Sequence, residues 1–336
     1  MGVDIADIIP AKQIKLEDLG GRTVAIDAFN AIYQFLAIIR QPDGTPLRDS
    51  KGRTTSHLSG LVYRNANLLQ MGIKPVYVFD GEPPKLKSET IAARSAIRRE
   101  AEKEWKKALA AGDTEKARIK ASQSSRLNKE MVDQSKELLE LLGIPCIQAP
   151  GEGEAQASDM TRKGEVWATA SQDFDSLLFG ADRLVRNLTV SGRRRGRGGG
   201  PAIPELVLLD SALEALEVTR EQLVDMAMLV GTDFNEGVRG IGPKKALHMI
   251  KKHGDIETVC EKEGFDVENV QRIREIFLEP LVSVDFSLEW SEPDEDGTVA
   301  YLRDGFDFSE DRVRKALCKM GEGRSLMKQK SLDQWF

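Results

Sequence analysis

Seven acids, Asp27, Asp80, Glu152, Glu154, Asp173, Asp175 and Asp233, stand where acids are hard to explain as ordinary surface. The runs Thr23-Val24-Ala25-Ile26 and Pro75-Val76-Tyr77-Val78-Phe79 are short, apolar and β-branched or aromatic, and each ends in a single Asp. Such runs suit strands buried on both faces of a parallel sheet. Ligands of open α/β sheets bind beyond the carboxyl ends of those strands. A third run, Val166-Trp167-Ala168-Thr169-Ala170, leads into Ser171-Gln172-Asp173-Phe174-Asp175, where strand alternation predicts two carboxylates pointing the same way. Like charges about 4 Å apart repel by roughly 4 kcal/mol at an effective dielectric near 20, so seven carboxylates stay ionised together only with cations among them. There are three histidines, His57, His248 and His253, and no His-x-x-x-His pair. The available donors are therefore oxygens, which favour hard ions such as Mg²⁺ or Mn²⁺. A pair of such ions activates water and stabilises the leaving oxygen of an in-line phosphoryl displacement. No side-chain nucleophile is then required; a phosphatase with an Asp nucleophile would want a second Asp at position 29, where Phe29 stands.

Each residue taken alone has a plainer role. An Asp after a strand often caps a helix, and Glu152 and Glu154 suit the solvated first turn of one. The acids are hard to dismiss only as a set. Lys87 and Arg94, seven residues apart, share a helix face, but charge runs are usually solvated and solvent is the expectation for both. Tyr33 lies about two helical turns beyond Asp27 and could stack on an unpaired base, although core packing is favoured on spacing alone. The segment Gly237-Val238-Arg239-Gly240-Ile241-Gly242-Pro243-Lys244-Lys245-Ala246 reads as a helix-hairpin-helix turn. Its glycines let backbone N–H groups approach a phosphate, with Lys244 and Lys245 at the positive end of the next helix. In the tail, Leu332, Trp335 and Phe336 are spaced i, i+3, i+4 among polar residues, as a peptide anchor for a partner's pocket is.

The elements that must position these groups alternate. Strand, helix and strand over residues 22–80 predict an α/β parallel sheet with crossover helices. After Asp80 the pattern breaks at Gly81-Glu82-Pro83-Pro84. About fifty residues rich in Ala, Glu, Lys and Arg follow, strongly helix-forming but thinly apolar, so they should project from the sheet. Residues 130–142 are amphipathic, return to the core and stop at Gly143, with Pro145 beyond. The Arg/Gly-rich run at 191–201 predicts a mobile loop.

A chain of 336 residues, 40% apolar, allows one large core and a smaller subdomain. Cys146, Cys260 and Cys318 lie far apart, which favours a reducing compartment over a disulfide framework or thiolate metal site. No run approaches a membrane span, and the N-terminus lacks the features of a signal peptide. Ala6 stands where myristoylation expects Ser or Thr. A cytoplasmic protein is expected. The net charge of −6 disfavours nucleic acid only on average. Residues 85–129 carry thirteen Lys or Arg against six Asp or Glu, a balance of +7, and residues 237–253 carry five basic residues and no acid. Phosphate binding calls for such basic surfaces, and separate acidic and basic faces suit a nuclease.

Together these segments resemble the flap endonucleases, archaeal-type structure-specific 5′ nucleases of the xeroderma-pigmentosum-G-like superfamily. The resemblance spans almost the whole chain. It is carried by Met1-Gly2-Val3, Ala25-Ile26-Asp27-Ala28, Val78-Phe79-Asp80-Gly81, Pro150-Gly151-Glu152-Gly153-Glu154-Ala155, Ser171-Gln172-Asp173-Phe174-Asp175, Gly231-Thr232-Asp233 and the terminal octet. It implies a PIN-like parallel-sheet nuclease core, a projecting helical gateway and cap, and a helix-two-turn-helix DNA-binding element. The implied regions are an N-terminal nuclease region at 1–98, the gateway and cap at 81–130, an internal nuclease region at 140–258 with the hairpin at 231–255, a C-terminal helical region at 259–328 and a clamp-binding tail at 329–336.

By the same resemblance the seven acids bind two Mg²⁺ ions, with Mn²⁺ able to substitute. Lys87 and Arg94 steer the scissile phosphate and stabilise its developing charge, Tyr33 stacks on the terminal base, and Gly2 lies near the site once Met1 is removed. Arg239, Gly240, Gly242, Lys244 and Lys245 grip the downstream duplex, with K⁺ at the hairpin. Gln329, Leu332, Trp335 and Phe336 match the motif that binds the sliding clamp (PCNA). The implied activity is Mg²⁺-dependent cleavage at the base of 5′ flaps, with 5′-3′ exonuclease activity, in Okazaki fragment maturation and repair. The implied setting is a monomer on branched DNA, associated with the nucleoid of an archaeal cell. The run at 191–201 follows no family pattern, and the tail lacks the basic extension of eukaryotic relatives. Two alternatives from the residues are a related enzyme acting mainly as a 5′ exonuclease and a catalytically inactive nucleic-acid scaffold on the same fold.

Overall fold

Apolar residues alternate sides along the central strands, and this alternation builds the protein. In β2 (Thr23–Asp27) Val24 and Ile26 enter one core and Ala25 another. In β3 (Lys74–Phe79) Tyr77 and Phe79 face the first core while Val76 and Val78 face the second. Both faces are therefore covered, as the continuous apolar runs require. The other strands are β1 (Lys12–Gln13), β4 (Cys146–Gln148), β5 (Ala168–Ala170), β6 (Arg183–Arg186) and β7 (Glu205–Leu208). A computed structural model describes residues 2–189 and 202–333 of the chain; the Arg/Gly-rich run at 191–201, and Trp335 and Phe336 of the tail, lie outside the described residues.

Among the described residues the strands form one sheet in the order β1-β7-β6-β5-β2-β3-β4. The pairs β2–β3, β2–β5, β3–β4 and β5–β6 are parallel. The expectation of a parallel sheet needs one addition: β7 runs antiparallel to β6, and β1 antiparallel to β7, along one edge. Antiparallel neighbours need no crossover helix between them, unlike the parallel pairs of the rest of the sheet. The chain builds β3 and β4 on one side of β2 and then β5 and β6 on the other. The order reverses at β2, which opens a crevice beyond its carboxyl end.

Between β3 and β4 the chain leaves the sheet as a helical hairpin, Ser88–Ala110 and Thr114–Gln123. The two helices pack on each other, and the second also touches the helix Ala28–Ile38. Ala101, Ala108, Ala117 and Ala121 are buried, whereas Ile91, Ile97 and Ile119 are exposed. The hairpin projects because it has only a thin seam of small residues to bury. The helix Lys129–Leu141 then returns to the main core, as its pattern predicts. A second layer of helices, including Arg220–Val230, Pro243–His253 and Val270–Leu278, encloses its own core around Phe179, Phe234 and Phe277. The last helix, Glu310–Asp333, packs back on Ser56–Gln70. No helix among the described residues is long and apolar enough to cross a membrane.

Candidate active site

The crevice at the sheet reversal gathers acids from several elements. Asp27 ends β2 and also caps the helix Ala28–Ile38, accepting from the Asn30 N–H at 2.9 Å. Capping and a place at the crevice are thus compatible. Asp80 follows β3 and accepts from the N–H of Gly153 at 2.7 Å. Glu152 and Glu154 open the helix Gly153–Arg162. They do not form a solvated first turn: Ser176 Oγ donates to Glu154 at 3.0 Å, and Lys87 pairs with Glu152. Asp175 accepts from the Val3 N–H at 2.8 Å, and Asp173 from Asn30 Nδ2 at 3.2 Å. Asp233 follows the helix Arg220–Val230 and is buried.

The strand argument for Asp173 and Asp175 does not hold. β5 stops at Ala170, Asp173 lies in a bend, and Asp175 begins the short helix Asp175–Leu178. Ser171 ends the extended run: its hydroxyl accepts from the Asp173 N–H at 3.2 Å and turns the backbone. The two acids reach the crevice through this turn and not through strand alternation.

Lys87 and Arg94 are not solvated charges. Lys87 ends a 3-10 turn, Lys85–Lys87, and its ammonium pairs with Glu152 and lies 3.4 Å from Asp233. Arg94, in the first half of Ser88–Ala110, pairs with Asp233. The projecting hairpin thus delivers two cations onto acids from two other elements. Burial disfavours the Lys87 charge, but Glu152, Asp233 and Asp80 outweigh it and raise its pKa, so the ammonium is held protonated.

Burial, and after it repulsion between neighbouring acids, raises the pKa of five of the seven. Asp27 is pushed well above the usual carboxylate value by burial and then by Asp80 and Asp173. Glu154 is pushed well up by burial, Asp175, Asp27 and Asp173. Asp175 rises to about 7, from burial and then Asp173 and Asp233. Asp80 and Glu152 are also raised by burial, with Lys87 pulling against it. Among the described residues no three such side chains are gathered as a ready cluster for one ion. Glu152 and Asp233 are turned instead to Lys87 and Arg94. The donor set nonetheless fits hard divalent ions. It is all oxygen, and Asp27, Asp80 and Asp175 are held in place by backbone N–H donors.

The remaining predicted residues fall in two groups. Near the crevice, a β-carbon on Gly2 would strike the Asp175 carboxylate, so only a glycine backbone fits there. Tyr33 is half-buried and not packed into the core: the Arg98 guanidinium lies 4.6 Å from its ring centroid and donates to its hydroxyl at 3.1 Å. Away from it, the turn before Pro243–His253 leaves Arg239, Gly240, Lys244 and Lys245 exposed and Gly242 half-exposed. Gly240 has φ +82°, which glycine adopts at little cost. Gln329 and Leu332 fall in the last turns of Glu310–Asp333. Sequence reasoning passed over Asn30, Ser176 and the N–H groups of Val3 and Gly153. For Asn30 the signal was its place three residues after Asp27; the other three donors belong to residues with no chemical distinction in sequence.

Residues 2–101 match the XPG N-terminal domain and residues 143–233 the XPG I-region. The chain is 53% identical to flap endonuclease 1 of Methanothermobacter thermautotrophicus, over 100% of each chain. It superposes on the structure of flap endonuclease-1 from Methanococcus jannaschii with a TM-score of 0.78 and 44% identity, covering 98% of this chain and 100% of that one. At 20% identity, a likeness in fold alone extends to the Holliday junction-resolving enzyme GEN1 in complex with product DNA and an Mg²⁺ ion, with a TM-score of 0.59 over 92% of this chain and 75% of that one. The crevice of acids at a sheet reversal, reached by a basic helical hairpin, is thus found in a chain that belongs to the flap endonuclease family, structure-specific nucleases that hydrolyse phosphodiester bonds.

Proposed function

We propose that Asp27, Asp80, Glu152, Glu154, Asp173, Asp175 and Asp233 hold two Mg²⁺ ions, with Mn²⁺ able to replace them. The proposed reaction cuts 5′ flaps at their base and also removes 5′ nucleotides stepwise, in lagging-strand processing and repair. One observation carries this reading: Lys87, on the projecting segment, reaches Glu152 and Asp233 inside the crevice of acids. The GEN1 complex with Mg²⁺ supports divalent-ion dependence.

The ions, once bound, supply activation of water and stabilisation of the leaving oxygen. The chain's own residues do the rest. Gly153, Val3 and Ser176 donate to Asp80, Asp175 and Glu154 and fix where those oxygens point. The scissile phosphate takes the place of Glu152 and Asp233 as partner of Lys87 and Arg94. The guanidinium fork of Arg94 suits two phosphate oxygens, and the compact Lys87 charge faces the oxygen on which negative charge grows. Tyr33 stacks on the base beside the cut after Arg98 gives way. The open turn at Gly240 and Gly242, with Arg239, Lys244 and Lys245, holds the downstream backbone together with K⁺. Recognition then rests on shape and phosphates more than on base edges.

Gln329, Leu332, Trp335 and Phe336 are the proposed anchor for a sliding clamp (PCNA). The enzyme is proposed to act as a monomer at the nucleoid. Deleting residues 329–336 should abolish clamp stimulation and leave basal cleavage intact; a folding defect would make the tail part of the core.

The test is a labelled double-flap DNA beside a matched blunt duplex, each with Mg²⁺ or EDTA, with products mapped at nucleotide resolution. Mg²⁺-dependent cutting at the flap base is expected. Binding without cutting would favour an inactive scaffold, and stepwise loss alone an exonuclease.

A further inference from the structure

Asn30 touches two of the crevice acids at once. Its backbone N–H donates to Asp27 at the end of β2, and its side-chain Nδ2 donates to Asp173, 143 residues away beyond β5. An asparagine amide can present either its oxygen or its nitrogen, and only the nitrogen suits a carboxylate. The choice is settled from behind. Gln34 Nε2 donates to Asn30 Oδ1 at 2.7 Å, and Thr189 Oγ1 donates to Gln34 Oε1 at 2.8 Å. Every donor in the chain Thr189, Gln34, Asn30 points towards Asp173. Hydrogen bonds aligned this way polarise one another, and turning the Asn30 amide would set donor against donor at Gln34 and acceptor against acceptor at Asp173.

Gln34 follows Asn30 by one helical turn on Ala28–Ile38, so the two amides face each other along the helix. Thr189 is 94% buried, just beyond β6. Asp27, Asn30, Gln34, Ser171 and Thr189 line a cavity of about 10 Å³. That is room for at most one water beside the intact side chains, of which Asn30 and Gln34 are half-buried.

We infer that Asn30 is a positioning residue for phosphodiester hydrolysis: its orientation, fixed by Gln34 and Thr189, holds Asp27 and Asp173 at one spacing across the sheet reversal. This rests on the reading of both acids as ligands of divalent ions. A partner that orients a ligating carboxylate typically changes metal affinity ~10–100-fold when removed.

The test uses the full-length, DNA-free protein and Mn²⁺ alone, with free Mn²⁺ followed by electron paramagnetic resonance. Single-turnover flap cleavage, flap binding in EDTA and melting in EDTA are measured alongside. Asn30→Ala should weaken Mn²⁺ binding ~10-fold or more and slow cleavage in parallel, with flap binding in EDTA unchanged. Thr189→Val keeps the shape and removes the hydroxyl, and should weaken Mn²⁺ several-fold, while Thr189→Ser should restore wild-type affinity. If Asn30→Ala fails to fold, the Thr189 pair decides alone. The inference is overturned if Asn30→Ala and Thr189→Val stay within ~2-fold of wild type, less than one hydrogen bond accounts for, while Asp173→Ala does not. It is equally overturned if Thr189→Ser is as impaired as Thr189→Val, since shape and not the hydroxyl would then matter. If Asp173→Ala itself leaves Mn²⁺ affinity unchanged, Asp173 is no ligand and the underlying reading falls together with the inference.

Discussion

The helix Gly153–Arg162 carries two carboxylates that are held in opposite ways. Asp159, in its second half, is almost fully buried and pairs with Arg162 at 2.6 Å and Lys163 at 2.7 Å. Burial pushes its pKa up, but Lys163 and Arg162 outweigh that and leave it below the usual value. Glu154, in the first turn, has acids for neighbours: burial, Asp175, Asp27 and Asp173 all push its pKa up, and only hydroxyl donors oppose them. Asp159 is complete within its own helix, because residues three and four further on supply its cations. Glu154 has no ion pair among the described residues, and under the proposed function its cations come from outside the chain. Burial alone therefore does not separate these two acids; what separates them is a cation within reach on the same segment, and the proposed ion ligands Glu152 and Asp233 find theirs only on the projecting segment.

The largest effect should come from the incomplete set. Asp175→Ala should lower Mg²⁺-dependent single-turnover cleavage by ~10³-fold or more, since a ligand cannot be replaced from elsewhere in the crevice. Flap binding in EDTA should be retained. Retained turnover in Mg²⁺ would remove Asp175 from the ion site and blur the contrast with Asp159. Next is Lys87→Ala, expected to slow single-turnover chemistry ~10²-fold, the scale of losing one donor to developing charge. DNA affinity should change much less; the opposite pattern would make Lys87 a docking charge.

A smaller effect appears in stability without metal. The folded-state pKa of Asp175, about 7, lies above its ordinary value of 3.8, so the folded protein binds this proton more tightly than the unfolded chain does. That contribution is fully present below the ordinary value and is lost as pH rises through the folded one. Asp159 has the reverse sign: its contribution holds above the ordinary value and is lost as pH falls below it. In EDTA, Asp175→Asn should therefore melt close to wild type in acid. It should become increasingly more stable than wild type as pH rises towards about 7, where the difference levels off. Saturating Mg²⁺ should reverse the ranking. A melting difference that does not vary with pH would show that repulsion at Asp175 is not what the crevice stores.

Much of this was legible in the chain. Strands β2 and β3 announce themselves because each is a continuous apolar run, and the Asp after each follows from where parallel strands end. The projecting hairpin was legible from a helix-forming stretch with too few apolar residues to bury. What the sequence hid was direction. Lys87 and Arg94 look like ordinary solvated charges until the hairpin's path turns them onto Glu152 and Asp233. Asp173 and Asp175 looked like alternating strand residues, and the turn at Ser171 is set by a single hydroxyl. The edge strands β1 and β7 are short and pair antiparallel through contacts far apart in sequence, which periodicity cannot register. Asn30 was half legible for the same reason: its place three residues after Asp27 points to one acid, but the other lies 143 residues away.

The smallest expected effect tests the other half of the comparison. Asp159→Asn removes a charge whose partners, Arg162 and Lys163, are nearly half-exposed and can turn to water. Exposed cations of this kind gain little from pairing, so the loss should be ~1 kcal/mol or less by urea denaturation, shrinking further in high salt. Single-turnover cleavage and Mn²⁺ affinity should stay at wild-type values. If Asp159→Asn instead impaired cleavage with stability intact, the second half of the helix would belong to the crevice as well, and cations on the same segment would no longer separate Asp159 from Glu154.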